Sequence, residues 1–180
     1  MERNIALIAL FAALTGALAL LPSFTLGFGV PITAQMLGIM LCGTILGARK
    51  GALAVLLYLL LIAVGLPIAA GGAGGLGVFA RPSVGYLIGF PVAAFAIGLV
   101  ADRFARPMEF WPAFFASMVG IAVVTVFGVI GMSIMLSVTL PEAMGFALPF
   151  LPGDLIKAAI AGGITQGLAR ARPGLASLRT

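Results

Sequence analysis

An aspartate and a lysine three residues apart, Asp154 and Lys157 in the segment PGDLIK, stand in a chain that is 62% hydrophobic and only 8% charged. At i and i+3 of a helix they project from one face, with Cβ atoms about 5–6 Å apart. A carboxylate accepts hydrogen bonds and an ammonium donates them. Such a pair can therefore grip a polar ligand, serve as acid and base, or neutralise itself. The plain structural account has Pro152 and Gly153 opening a helix, Asp154 in its first turn favoured by the helix dipole, and Lys157 snorkelling outwards. It explains each residue separately. Ionisable residues inside membrane spans usually face the bundle interior and mark a substrate or ion path, which makes the pair the leading functional candidate.

Three more polar side chains are candidates. Gln35, about one turn into a helix after Pro31 in the run FGVPITAQMLG (28–38), needs a partner because lipid offers none; an interhelical hydrogen bond or a ligand would serve. Arg81 can pair with a lipid headgroup or clamp a carboxylate with two parallel hydrogen bonds. Tyr86 suits either an interfacial belt or a pocket wall. Arg81 and Tyr86 belong to the segment GLPIAAGGAGGLGVFARPSVGY (65–86), which is too rich in glycine for a helix and too apolar for a solvated linker. It reads either as a re-entrant or lid-like loop whose bare backbone can approach a ligand, or as a flexible outer connection. Gly72, Gly74 and Gly77 match a dinucleotide-binding spacing, but that fingerprint needs a strand before it and a helix after it in a βαβ unit. The match is a coincidence of composition.

The absences narrow the chemistry. With no histidine, one cysteine (Cys42) and five acids dispersed from Glu2 to Asp154, the chain offers neither a disulfide framework nor a metal site. It also lacks a nucleophile–base set. The net charge of +5 and pI near 10.4 come from short basic clusters between apolar spans, which is topology information and not a nucleic-acid surface.

The elements that must position these residues are membrane helices. A mean hydropathy of +1.25 and apolar runs recurring to the end of the chain predict repeated crossing of the bilayer, with no single cleavable leader to account for them. Spans need about 20 residues. Reading apolar runs between breakers predicts an all-α integral membrane protein of one domain with six transmembrane helices, at approximately 4–21, 32–48, 51–64, 83–100, 111–140 and 153–169. The fifth is long, and either tilts or stops early. Arg3, Arg49, Lys50, Arg103, Arg106, Arg170, Arg172 and Arg179 share one side of this arrangement, so both termini are expected in the cytoplasm. Arg81 and Lys157 are the exceptions, on the outer side. Small residues recur at four-residue intervals in the first helix (Ala9, Ala13, Ala17) and in the last (Ala159, Gly163, Gly167); such stripes pack a bundle or receive a partner's helix.

Three motifs in order, VPITAQ, the GLP…GGAGG…GY loop and PGDLIK, closely resemble those of BioY, the biotin-specific substrate-binding subunit of energy-coupling factor (ECF) transporters. The likeness covers about Gly29 to Ala158; ARPSVGY departs from the Gly-Pro-Thr-Gly-Gly-Tyr type of ending. The resemblance implies a six-helix bundle in the bacterial inner membrane, with a high-affinity biotin pocket near its extracellular end. It implies that Asp154, Lys157, Gln35, Arg81, Tyr86 and the loop backbone at Gly74 and Gly75 contact biotin. It further implies a transmembrane coupling protein, docked on Ala9 and Ala13, and two cytoplasmic ATPases that carry the nucleotide chemistry. The chain itself would need no cofactor and would not be an enzyme. Rival readings are a facilitator that moves biotin without the ATPases, and a membrane enzyme using Asp154 and Lys157 as acid and base.

Overall fold

Breakers in an apolar chain decide where the helices start and stop. The computed structural model describes residues 2–27, 29–104 and 108–171. Among them the chain forms seven α-helices: α1 (Glu2–Ala19), α2 (Gln35–Leu46), α3 (Ala48–Ala63), α4 (Val84–Ala101), α5 (Phe110–Leu136), α6 (Leu140–Ala147) and α7 (Phe150–Ala171). A two-residue hairpin, β1 (Phe24–Thr25) against β2 (Pro31–Ile32), is antiparallel and joins α1 to α2. Arg106, Arg172 and Arg179 of the orientation argument lie outside the described residues, as does Phe28.

Helices α2 and α3 meet at a single residue, Gly47, whose φ of 81° and ψ of −176° suit glycine alone. Arg49 and Lys50 therefore sit in the first turn of α3 and not in a loop between helices. That corner is closed from α4: the Ala48 N–H donates to Asp102 Oδ2 at 3.3 Å. Gly98 of α4 lies so near the corner that a Cβ there would fall on the backbone of Gly47 and Ala48.

The fifth apolar run, expected over 111–140, breaks earlier. Helix α5 stops at Leu136, Ser137 takes a left-handed φ of 55°, and α6 starts at Leu140. The break is held locally: Ser133 Oγ donates to the Val138 carbonyl at 2.7 Å, and the Thr139 N–H donates to the Glu142 carboxylate at 2.8 Å, one half of a capping box. Helix α6 then meets α7 at a 50° bend. Helix α7 begins at Phe150, three residues before the expected Gly153, because Pro152 fits a first turn whose N–H groups need no intrahelical partner. Asp154 is thus the fifth residue of α7, beyond its first turn.

Among the described residues, α1, α4 and α5 are long and apolar enough to cross a membrane, and the bent α6–α7 pair makes a fourth span if counted as one. Helices α2 and α3 have 12 and 16 residues, about 18 and 24 Å at 1.5 Å per residue. Large apolar side chains face outwards on every side, among them Leu60 on α3, Trp111 and Ile134 on α5, and Ile156 on α7; water would not tolerate so continuous an apolar surface, whereas lipid does. Inside, Ile39, Met40, Tyr58, Ile62 and Ile97 are fully buried. Thr44 of α2 and Thr165 of α7 share a buried hydrogen bond of 2.9 Å, and Thr15 Oγ1 donates to the Phe11 carbonyl at 2.8 Å. A smaller apolar cluster of Val30, Val129, Met132, Ala143, Ala147 and Phe150 joins the hairpin to α5, α6 and α7, and Tyr86 packs on both clusters.

Candidate functional site

The starts of α2, α4 and α7 and the loop between α3 and α4 converge on one cavity. The start of α2 is set by Thr33, whose hydroxyl accepts the Gln35 N–H at 3.2 Å. The loop is folded and tied down: two short 3-10 turns (Ala70–Gly72 and Leu76–Ala80) are held by Ala69 N–H on the Ala73 carbonyl at 2.9 Å and Gly75 N–H on the Ile62 carbonyl at 2.7 Å. Tyr58, fully buried in α3, donates its hydroxyl to the Ile68 carbonyl at 3.0 Å. These contacts fold the loop back on the end of α3 as an ordered segment. The Val84 N–H on the Arg81 carbonyl, at 2.9 Å, turns the chain into α4.

The cavity wall comprises Val30, Pro31, Thr33, Gln35 and Met36; Ala69, Ala70, Val78, Arg81 and Ser83 of the loop; Tyr86, Leu87 and Phe90 of α4; Val124 of α5; and Phe150, Asp154 and Lys157 of α7, with Gly29 at the hairpin. It is a largely apolar chamber with a few polar residues in its wall, the usual character of a small-molecule site. Lys157 Nζ donates to Asp154 Oδ1 at 2.8 Å, and the two side chains are 14% and 13% exposed. The pair keeps further capacity on both sides: an ionised carboxylate has about four lone-pair sites and an ammonium three donors. Gln35 is 4% exposed, and its Nε2 is buried with no hydrogen-bond partner, as is Tyr86 Oη. An unsatisfied buried polar group costs about 1–3 kcal/mol. Both belong to residues of the cavity wall, and a polar ligand that reached them would satisfy them.

Five of the candidates from the sequence, Asp154, Lys157, Gln35, Arg81 and Tyr86, share this wall. Gly74 and Gly75 do not. Gly75, with a φ of 82°, spends its N–H on Ile62, and Gly74 lies so close to Leu66 that a Cβ would sit 2.5 Å from that residue's carbonyl oxygen. Both glycines fold the loop back on the end of α3 and take no part in the wall. Ala9, Ala13 and Ala17 are exposed, whereas Phe11, Ala12, Thr15 and Gly16 turn inwards, so the α1 stripe does not pack this chain's own bundle. Gly163 and Gly167 of α7 are also exposed.

Residues 2–174 match the model of the BioY family. The chain belongs to the BioY family. A biotin transporter BioY of Rhodobacter capsulatus is 45% identical over 183 residues, covering 96% of each chain. A biotin transporter BioY of Rhizobium etli is 44% identical over 166 residues, covering 88% of this chain and 89% of its own. The fold agrees with the crystal structure of the S-component for biotin from an ECF-type ABC transporter at a TM-score of 0.86 and 30% identity, over 94% of this chain and 92% of that one. The BioY match includes the whole cavity wall. Several wall residues escaped the sequence reading, notably Phe150, Val124, Phe90 and Met36. All are apolar in an apolar chain, and Phe150, Val124 and Phe90 stand outside the motif residues that drew attention.

Proposed function

We propose that this chain binds biotin in the cavity and acts as the substrate-binding subunit of an ATP-driven uptake transporter, and not as an enzyme. The observation that carries this reading is the convergence of four polar residues, Asp154, Lys157, Gln35 and Tyr86, the last two with buried polar atoms lacking a partner, on the wall of one largely apolar cavity. Biotin has a ureido group with two N–H donors and one carbonyl acceptor, an apolar thioether ring and chain, and a terminal carboxylate. Asp154 accepts from a ureido N–H and Lys157 donates to the ureido oxygen. Phe90, Phe150 and Leu87 suit the apolar ring. Arg81 is exposed at the cavity wall, where a guanidinium meets the carboxylate without a large desolvation penalty. The relatives' own description as biotin transporters supports the same ligand.

In this reading six helices cross the bacterial inner membrane. The short α2 and α3 cross with their connecting segments, and exposed Leu53, Leu56 and Leu60 on α3 are suited to lipid. Arg3, Arg49, Lys50, Arg103 and Arg170 mark the cytoplasmic side together with both termini, and the cavity faces outwards. The outward stripe of Ala9 and Ala13 is suited to close approach by a helix of the coupling protein, through which two ATPases drive delivery.

Uptake of labelled biotin separates this reading from a self-sufficient facilitator. Cells producing the chain with the coupling protein and ATPases are expected to accumulate biotin, and cells producing the chain alone to accumulate little. Equal accumulation in both would assign the facilitator.

A further inference from the structure

Tyr86 reaches the cavity from α4, but its position is set from α5. Gly128 of α5 is buried, and the Tyr86 ring lies directly over it: a Cβ built on Gly128 would fall within 2.6 Å of Cε2 of that ring. On another side Tyr86 meets Phe150, with ring centroids 5.7 Å apart and planes 36° apart. The ring is therefore held between a bare patch of α5 and an aromatic of α7, and its buried hydroxyl has no partner. Tyr86 and Phe150 both line the cavity.

Separating α4 from α5 to make room at Gly128 would pull apart a close backbone contact. One turn away, a Cβ on Gly85 of α4 would meet Cα of Gly131 of α5 at 2.8 Å, so the two backbones are already in contact. A methyl group at position 128 must instead push the ring by about 1 Å to restore ordinary contact distance. The Tyr86 hydroxyl moves with it.

We propose that Gly128 is a positioning residue for the ligand site: its missing side chain is the seat that fixes the Tyr86 ring and thereby sets where the Tyr86 hydroxyl stands in the cavity wall. For its ligand the inference rests on the biotin-binding reading; for the ring it rests on geometry alone. Gly128 touches no ligand in this account, and its effect on binding passes entirely through Tyr86.

The chain has two tyrosines, Tyr58 and Tyr86, so protein labelled with 3-fluorotyrosine gives two fluorine resonances, assigned with Tyr86→Phe. Gly128→Ala is expected to shift the Tyr86 resonance and leave that of Tyr58 in place. It is also expected to weaken biotin binding at least tenfold, whereas in a Tyr86→Leu background the same change should have less than a twofold effect. An unmoved Tyr86 resonance overturns the proposal. So does an undiminished biotin affinity, or an effect as large in the Tyr86→Leu background, which would indicate helix packing alone. Wild-type protein that fails to bind biotin would sink the ligand reading, while the resonances still decide the seat. Should Gly128→Ala yield no folded protein, recovery of folded protein in Gly128→Ala/Tyr86→Leu supports the ring as the obstacle, and no recovery overturns it.

Discussion

Asp154→Asn is expected to weaken biotin binding at least tenfold while leaving a folded protein. The substitution keeps the shape of the side chain and one oxygen acceptor, so what it removes is charge. Hydrogen bonds to charged groups contribute about 1.5–3 kcal/mol against about 1 kcal/mol for neutral ones, and the difference, about 0.5–2 kcal/mol, corresponds to roughly a twofold to thirtyfold loss at 1.4 kcal/mol per decade. A second effect acts in the same direction. With Lys157 Nζ 2.8 Å from Asp154 Oδ1 and both side chains mostly buried, the mutant leaves an ammonium without its counter-charge, and Lys157 no longer sits where the carboxylate held it. Breaking a buried pair by removing one partner destabilises by about 3–5 kcal/mol; partial exposure of this pair reduces that figure. Equilibrium binding of labelled biotin to purified, monodisperse protein measures the loss. An unchanged affinity would return the pair to a structural role in α7.

Gly98→Val is expected to abolish folded protein altogether. The Cβ it introduces meets backbone, that of Gly47 and Ala48, and not the end of a flexible side chain. Overpacking in a core costs about 1–3 kcal/mol where side chains can adjust. Here the obstacle is the corner between α2 and α3, fixed by the special φ and ψ of Gly47 and by the Ala48–Asp102 hydrogen bond, so a larger cost is expected. Gly163→Ala serves as the control, because nothing lies within 4 Å of a Cβ there. Yield of monodisperse protein in detergent and its thermal unfolding report both. A Gly98→Val protein with wild-type yield and melting temperature would contradict the close approach of α3 and α4.

How far the sequence could be read depended on whether a residue stood out from its neighbours. Pro22, Pro31, Gly65 and Pro152 punctuate an apolar chain, so the helical runs were legible to within a few residues at most ends. The break before α6 was also written, as the Thr139-x-x-Glu142 capping box, but an apolar run of helical length hid it. Its other device, Ser137 in a left-handed conformation, carries no glycine to announce it. Asp154, Lys157, Gln35, Arg81 and Tyr86 were legible because polar groups in such a chain need a reason. Val124, Phe90 and Phe150 were not. On helices that are hydrophobic all round, a side chain facing a cavity is the same residue type as one facing lipid. The glycines of the loop read either way: a bare backbone can approach a ligand or fold on itself, and in this structure Gly74 and Gly75 pack against the end of α3, outside the cavity wall.

The most direct measurement is native mass spectrometry of the wild-type protein purified from cells supplied with biotin. One biotin bound per chain, absent when cells are starved of biotin and restored by adding it to the purified protein, is the predicted result. A spectrum showing only the bare chain, unchanged after incubation with biotin, would contradict it.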